Sequence, residues 1–310
     1  MAPSRRPILL DCDPGLDDAL AILLAAGSPQ VEVRALTTVA GNLSLDTVTR
    51  NARHLCALAG LEVPIAAGCD RPLVRTGVTA PAAYHGASGL GDREARGPLA
   101  PLVEAHAVDL IVETVLAAPG EVTLVPIGPL TNIALALRRE PRIGAAVREV
   151  VLMGGSTGRG NQTPAAEFNI FVDPEAAAAV FSAPWPVTMV GLNLTHQAQA
   201  TADVRSRIEA LPGRAAQFAD DLLRYAALGY PKQGLSGPPV HDPCAVARVV
   251  EPSLVGCVPA AIEVETQGRL TGGMTVVDLA PKGPTPSMAA ITLDAPAFWD
   301  RLVAALARLP

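Results

Sequence analysis

Residues 7–26, PILLDCDPGLDDALAILLAA, constrain this chain more than any other stretch. The apolar run Ile8-Leu9-Leu10 is too short for a helix and suits a strand buried on both faces of a parallel sheet. It runs into Asp11-Cys12-Asp13, breaks at Pro14-Gly15 and restarts as an apolar helix at Leu16. Asp17 and Asp18 fall in the first helical turn, where carboxylates meet the positive end of the helix dipole. Four carboxylates thus crowd into eight residues at the carboxyl end of a strand, the rim on which open α/β sheets bind their ligands. Two like charges ~4 Å apart repel by about 4 kcal/mol at the effective dielectric of a protein surface, so the cluster needs protons or a cation. With aspartates alone and no His or Cys pair close by, a hard oxygen-ligated ion, calcium or magnesium, fits better than zinc.

Simpler readings of the motif fail. Solvated acids on an N-capped helix would explain Asp17 and Asp18, but not Asp11 and Asp13, which precede the cap at a strand end. An EF-hand loop starting at Asp11 needs Gly at its sixth position and Glu at its twelfth; the chain has Leu16 and Ile22 there. A dehalogenase-type phosphoryl hydrolase also carries D-x-D after an apolar strand, but with Thr or Val where this chain has Gly15.

Apolar periodicity lays out alternating strands and helices. Strands are expected over residues 31–39, 63–67, 121–127, 149–153 and 187–192, and helices over 45–59, 105–117, 130–139 and 174–181. That alternation implies right-handed crossovers and an α/β fold, a mostly parallel Rossmann-like open sheet flanked by helices. Further on, the pattern predicts helix over 202–228 with a break at Pro212-Gly213, and a helix opening at Val240-His241-Asp242-Pro243. Short antiparallel strands are expected over 258–266, 274–279 and 289–293, and a closing helix over 295–309. Two Gly/Pro-rich stretches, 71–101 and 229–239, lack periodicity; loops of such length inside a compact domain tend to be lids or binding loops. With no repeat, linker or composition shift, residues 1–310 are expected to form a single domain.

A net charge of −6 argues against a nucleic-acid or anionic-membrane surface. Although 49% of the residues are hydrophobic, no run approaches the ~18 apolar residues of a membrane helix. Cys12, Cys56, Cys69, Cys244 and Cys257 are scattered and never spaced C-x-x-C, which favours free thiols over a disulfide frame or zinc site. The apolar run behind Arg5-Arg6 stops at Asp11, so no signal-peptide core is present and a cytoplasmic location is expected.

Asn42 and Asn193 stand at predicted strand ends, and Glu167-Phe168-Asn169 follows a polar loop through Asn161. In a parallel sheet such ends share one rim, so these residues converge with the aspartates on one pocket. Carboxylates and amides around a hard cation suit a polyol such as ribose, whose vicinal hydroxyls can ligate the ion. His241-Asp242 lies between a flexible loop and a Pro-started helix. It reads as a capping Asp facing the same pocket, with His241 the nearest group able to donate a proton near neutral pH.

The segments DCDPGLDDALAILLA, TTVAGN (37–42), GPLTNIALAL (128–137), VVLMGG (150–155), AEFNIFVDPEAA (166–177) and VHDPCAVA (240–247) all resemble parts of the inosine–uridine-preferring nucleoside hydrolases. The similarity spans essentially the whole chain, and DxDPGxDD together with HDP is its specific signature. The resemblance implies hydrolysis of the N-glycosidic bond of ribonucleosides to ribose and free base, through an oxocarbenium-like transition state. It also implies a calcium cofactor, a small-molecule nucleoside as substrate and a homo-oligomer, either tetramer or dimer. Asp13, Asp18, Asp242 and the backbone carbonyl of Ile127, where the family often has Thr, would hold the ion, with Asp11 supporting them from behind. Asp13, Asn169 and His241 would carry catalysis, Asp13 as base toward water and His241 as acid toward the leaving group. Asp17 and Asn169 would grip the ribose 2′- and 3′-hydroxyls with Asn42 alongside, and Asn161 and Glu167 the 5′-hydroxyl.

The base end is the least legible. Phe181, Phe218, Phe298 and Trp299 are expected in the core or on helix faces, and Trp185, in Ala-Pro-Trp-Pro, as a loop plug. That leaves Tyr225 and Tyr230 at the second loop and His85 in the first as contacts to the base. Purine-only relatives stack the base on tryptophan and lack the HDP histidine, so the resemblance favours a broad or pyrimidine-accepting specificity. On the sequence alone two rivals stay open: a dehalogenase-type phosphoryl hydrolase, and a non-catalytic nucleoside- or ribose-binding protein.

Overall fold

Strand β1 (Arg6–Cys12) is half-exposed at its first two residues and buried from Ile8 onward. Its side chains alternate between two cores. Ile8 and Leu10 join one and Leu9 the other, as a strand covered on both faces requires. The computed structural model describes residues 5–76, 82–229 and 234–310. In it the remaining strands are β2 (Val31–Thr38), β3 (Ile65–Ala67), β4 (Thr123–Pro126), β5 (Glu149–Met153), β6 (Val187–Val190), β7 (Val255–Pro259), β8 (Ala261–Val264), β9 (Thr275–Asp278) and β10 (Ser287–Leu293).

The main sheet runs β3-β2-β1-β4-β5-β6-β10-β7, with every neighbouring pair parallel except β10 and β7. The direction of winding reverses between β1 and β4, so the topological switch point opens at their carboxyl ends. Asp13 leaves β1 there and Ile127 leaves β4. One face is covered by helices Leu16–Ala26, Leu45–Ala59, Arg214–Gly229, Asp242–Val250 and Ala295–Leu306. The opposite face carries Ala107–Ala117, Thr131–Arg139 and Pro174–Phe181. Helices Leu16–Ala26 and Asp242–Val250 pack directly together, which is how an acid late in the chain reaches the first loop.

The aromatic residues assigned to the core behave as such: Phe181, Phe298 and Trp299 are buried. Phe218 is half-buried, edge-on to His54. Trp185 is buried, and its indole N–H donates to the Val180 carbonyl at 3.0 Å, the behaviour of a plug.

Several boundaries differ from expectation. The strand expected to reach Leu192 stops at Val190, and Leu192–Thr195 is a helical turn that carries Asn193. Phe168–Val172 is a short helix capped by Glu167. Residues 258–266 divide at Ala260: β7 enters the main sheet, while β8 pairs with β9 in a separate two-stranded sheet. β10 pairs antiparallel with β7 over residues 289–293, as expected, and on its other edge runs parallel to β6. No helix among the described residues is long and apolar enough to cross a membrane.

Candidate active site

The turn after β1 is closed by its own carboxylates. Asp18 Oδ1 accepts from the Asp13 N–H at 3.0 Å and Oδ2 from the Gly15 N–H at 2.9 Å. Asn42 binds the same turn from the end of β2. Its N–H donates to Asp13 Oδ2 at 2.7 Å, and its side-chain amide donates to the Asp13 carbonyl at 3.1 Å and Asp18 Oδ2 at 3.2 Å. Glycine is required beside Asp13. A Cβ at Gly41 would stand 2.2 Å from Asp13 Oδ2, and one at Gly128 would stand 2.5 Å from Oδ1. Asp13 is only 1% exposed, yet its Oδ1 has no hydrogen-bond partner.

Asp242 meets the N-terminal acids. One carboxylate oxygen from each of Asp17, Asp18 and Asp242 lies within 4.8 Å of the other two. This closest trio contains Asp17, which the sequence assigned to ribose, while Asp13 borders it through Asp18. Burial pushes the Asp18 carboxyl up to about 7, with Asp17 adding to the rise. Burial likewise holds Asp13 and Asp242 well above the usual carboxylate range, each reinforced by neighbouring aspartates. Among the described residues, no cationic side chain contributes to the shift of any of the three. Buried acids without a counter-charge, an orphaned Oδ1 and an all-oxygen donor set fit a hard divalent cation.

Every ribose- and metal-directed residue named above except Asp13 and Asp18 lines one cavity of about 610 Å³, and so do His85 and His241. The Asn169 side chain donates to the Ile127 carbonyl at 3.0 Å and the Met153 carbonyl at 3.1 Å. Glu167 is held by backbone N–H groups: Oε1 accepts from Asn169 at 2.9 Å, and Oε2 from Gly155 at 2.9 Å and Ile170 at 3.1 Å. Burial still pushes its carboxyl up to about 7. Asn161 Oδ1 accepts from the Phe168 N–H at 2.9 Å. Asp11 lies behind the site, where Oδ1 accepts from the Thr37 hydroxyl at 2.6 Å and the Asn132 amide at 2.8 Å.

Histidines dominate the other end. The His241 backbone N–H donates to Asp17 Oδ2 at 3.2 Å, its ring Nδ1 pairs with the Thr195 hydroxyl at 2.8 Å, and its ring stands edge-on to His196, centroids 5.8 Å apart. Burial lowers its pKa to about 4, against the pull of Asp17 and with His196 and His85 adding to the fall. The imidazolium form is therefore disfavoured near pH 7, because the start of helix Asp242–Val250 is deeply covered. His85 also lines the cavity, and its Nδ1 accepts from the Leu16 N–H at 3.2 Å. His196 lines it too and was not anticipated; its signal was His196 three residues after Asn193, in Asn193-Leu194-Thr195-His196. Tyr225 is absent from the lining: its ring packs where a Cβ on Gly91 would stand 2.6 Å away, while Leu222, Leu223 and Ala226 form that wall. Tyr230 lies outside the described residues.

A doubly wound sheet with buried carboxylates at its switch point, beside a cavity of amides and imidazoles, defines an α/β enzyme suited to a polyhydroxylated substrate. The model of the inosine-uridine preferring nucleoside hydrolase family matches residues 8–300, and the chain belongs to that family of ribonucleoside hydrolases. It is 47% identical over 311 residues to an inosine-uridine preferring nucleoside hydrolase of Leishmania major, covering 98% of each chain. It is 42% identical over 299 residues to the pyrimidine-specific ribonucleoside hydrolase RihB of Escherichia coli, covering 95% of each. Among solved structures, the purine-preferring ribonucleoside hydrolase from Gardnerella vaginalis superimposes with a TM-score of 0.91 at 33% identity, over 97% of this chain and 98% of that one. The phosphoryl-hydrolase and non-catalytic readings fall with this membership.

Proposed function

We propose that the protein is a calcium-dependent N-ribohydrolase that cleaves inosine, uridine and related nucleosides to ribose and free base. The observation that carries the reading is the approach of Asp242 to Asp17 and Asp18 within 4.8 Å, next to the buried Asp13. Asp13, Asp18, Asp242 and the Ile127 carbonyl would hold the ion, their oxygen-only donor set favouring calcium. Bound there, such an ion neutralises the carboxylates, orients ribose hydroxyls and acidifies water.

The chain's own residues supply the rest. Asp13 takes a proton from the attacking water as its oxygen adds to C1′ and the C1′–N bond breaks. Asp17 and Asn169 hold the 2′- and 3′-hydroxyls, and Asn42 fixes the carboxylates from behind. Asn161 and Glu167 take the 5′-hydroxyl, the carboxylate accepting a hydrogen bond from it. His241 donates toward the leaving base. In its imidazolium form the Nδ1–H donates to the Thr195 hydroxyl and the Nε2–H passes to the departing nitrogen as the C1′–N bond breaks, leaving the ring neutral. The presence of His241, with Trp185 and Trp299 both buried away from the cavity lining, supports a broad or pyrimidine-accepting base range. Five free cysteines, four of them buried, support a cytoplasmic setting.

Release of reducing sugar from inosine, uridine, cytidine and adenosine, measured with chelator and after adding calcium back, tests this. Turnover of inosine and uridine is expected, lost with chelator and restored by calcium. Chelator-resistant turnover would remove the ion from the scheme, and no release from any of the four would remove the N-ribohydrolase itself.

A further inference from the structure

Beyond β5 the chain enters the cavity wall, and there three consecutive backbone N–H groups donate to three side chains from separate elements. Gly155 donates to Glu167 Oε2 at 2.9 Å, Ser156 to Thr275 Oγ1 at 2.9 Å, and Thr157 to Asn193 Oδ1 at 3.2 Å. The Thr275 hydroxyl in turn donates to the Ser156 carbonyl at 2.7 Å, so one hydroxyl satisfies both polar backbone groups of a single residue. Asn193 is itself anchored, its amide donating to the Ala290 carbonyl of β10 at 2.8 Å. Gly155 has φ +71°, and a Cβ there would stand 2.7 Å from the Thr275 methyl. Thr275 is buried and opens β9, outside the main sheet and outside the cavity lining. Just before it, a Cβ on Gly273 would stand 2.8 Å from Phe171 Cα, so the two-stranded sheet also seats on the helix that Glu167 caps. The clamped segment continues along the cavity to Asn161 and Gln162.

We infer that the β8–β9 sheet is a positioning element for substrate recognition: through Thr275, aided by Asn193, it sets the loop bearing Asn161 against Glu167 and so governs selection for the substrate's 5′-hydroxyl. This rests on the assignment of that hydroxyl to Asn161 and Glu167. Thr275 touches no reacting atom, so it acts by position alone.

Thr275→Val keeps the shape and removes the hydroxyl. It is expected to raise KM for uridine about tenfold with kcat within about twofold, while kcat/KM for 5′-deoxyuridine changes by less than about twofold. Thr275→Ser is expected to restore wild-type values. Amide hydrogen exchange over residues 154–163 is expected to quicken in the valine variant and not in the serine one. Equal losses on both substrates, an unchanged KM, or unchanged exchange would each overturn the proposal. A wild-type enzyme that cleaves both substrates alike would instead strike the 5′-hydroxyl assignment, and the selectivity role with it. Absence of sugar release from any nucleoside would strike the enzymatic reading, leaving the exchange rates to decide the clamp.

Discussion

Asp242→Asn replaces one member of the acidic cluster by a neutral isostere, and its two expected effects have opposite signs. In the ion-free protein the oxygens of Asp17, Asp18 and Asp242 lie within 4.8 Å, where a fully ionised pair repels by about 3.5 kcal/mol at an effective dielectric of ~20. Proton uptake limits that penalty. Asp18 stands at about 7 and Asp242 well above its ordinary value, so near pH 8 the relief is about 1–2 kcal/mol. The ion-free variant should therefore melt above the ion-free wild type, by about 1.5–3 °C. Calcium binding moves the other way. The lost ion–carboxylate attraction is at least as large as the pair repulsion, so affinity should fall by at least about 100-fold. A pH dependence follows from the same groups. The Asp18 carboxyl is raised from 3.8 to about 7, so its protonated form stabilises the ion-free fold fully below 3.8, and that stability is lost as pH rises through about 7. Calcium must displace those protons, so wild-type affinity should weaken below about pH 7, by up to about tenfold per pH unit for each proton displaced. Thermal melts with chelator and calorimetric titration with calcium at pH 6, 7 and 8 measure all three. An Asp242→Asn protein with wild-type calcium affinity, or one that melts lower without the ion, would refute the charge-based reasoning.

Two further substitutions probe the reacting groups. His241→Ala should slow uridine and inosine by about 100-fold but p-nitrophenyl riboside, whose leaving group needs little protonation, by less than about tenfold; equal losses on both would take His241 out of the acid role. Gly128→Ala puts a Cβ 2.5 Å from Asp13 Oδ1 and should depress kcat by about 100-fold by displacing that carboxylate. Full activity in that variant would mean the position of Asp13 is unimportant.

The elements that carry the site were legible because their signals are local. β1 is a short apolar run, helix Leu16–Ala26 has acids only in its first turn, and Pro243 opens helix Asp242–Val250. Helices Phe168–Val172 and Leu192–Thr195 were missed because five and four residues span barely more than one 3.6-residue turn, too few for an apolar repeat to show. The second neighbour of β10, the parallel β6, was not legible because strand pairing is set by which strands meet, not by one strand's own residues. Tyr225 was placed toward the base from its nearness to the second loop. Yet helix Arg214–Gly229 turns Leu222, Leu223 and Ala226 to the cavity and Tyr225 to Gly91. The burial that lowers the His241 pKa was equally hidden, since it comes from elements far off in the chain.

Asp13 shows why the switch point, and not one loop, builds this site. Asp18 and Asp242 come from helices on one face of the sheet. Asp11, two residues before Asp13, is held from the other face by Asn132 on helix Thr131–Arg139. That single amide donates to Asp11 Oδ1 at 2.8 Å and the Thr38 carbonyl at 3.0 Å, and accepts from the Cys69 N–H at 2.9 Å. It therefore ties the ends of β1, β2 and β3 together. Gly68 lies against it so closely that a Cβ would stand 2.3 Å from Asn132 Oδ1. Asp13 is thus held by Asp18 of helix Leu16–Ala26 and by Asn42, its strand is anchored from the other face through Asp11, and two glycines, Gly41 and Gly128, leave the space it occupies. A catalytic carboxylate on a flexible surface loop would need none of these constraints. Their convergence on Asp13 is the structural argument for assigning the base to that residue rather than to the more accessible Asp17.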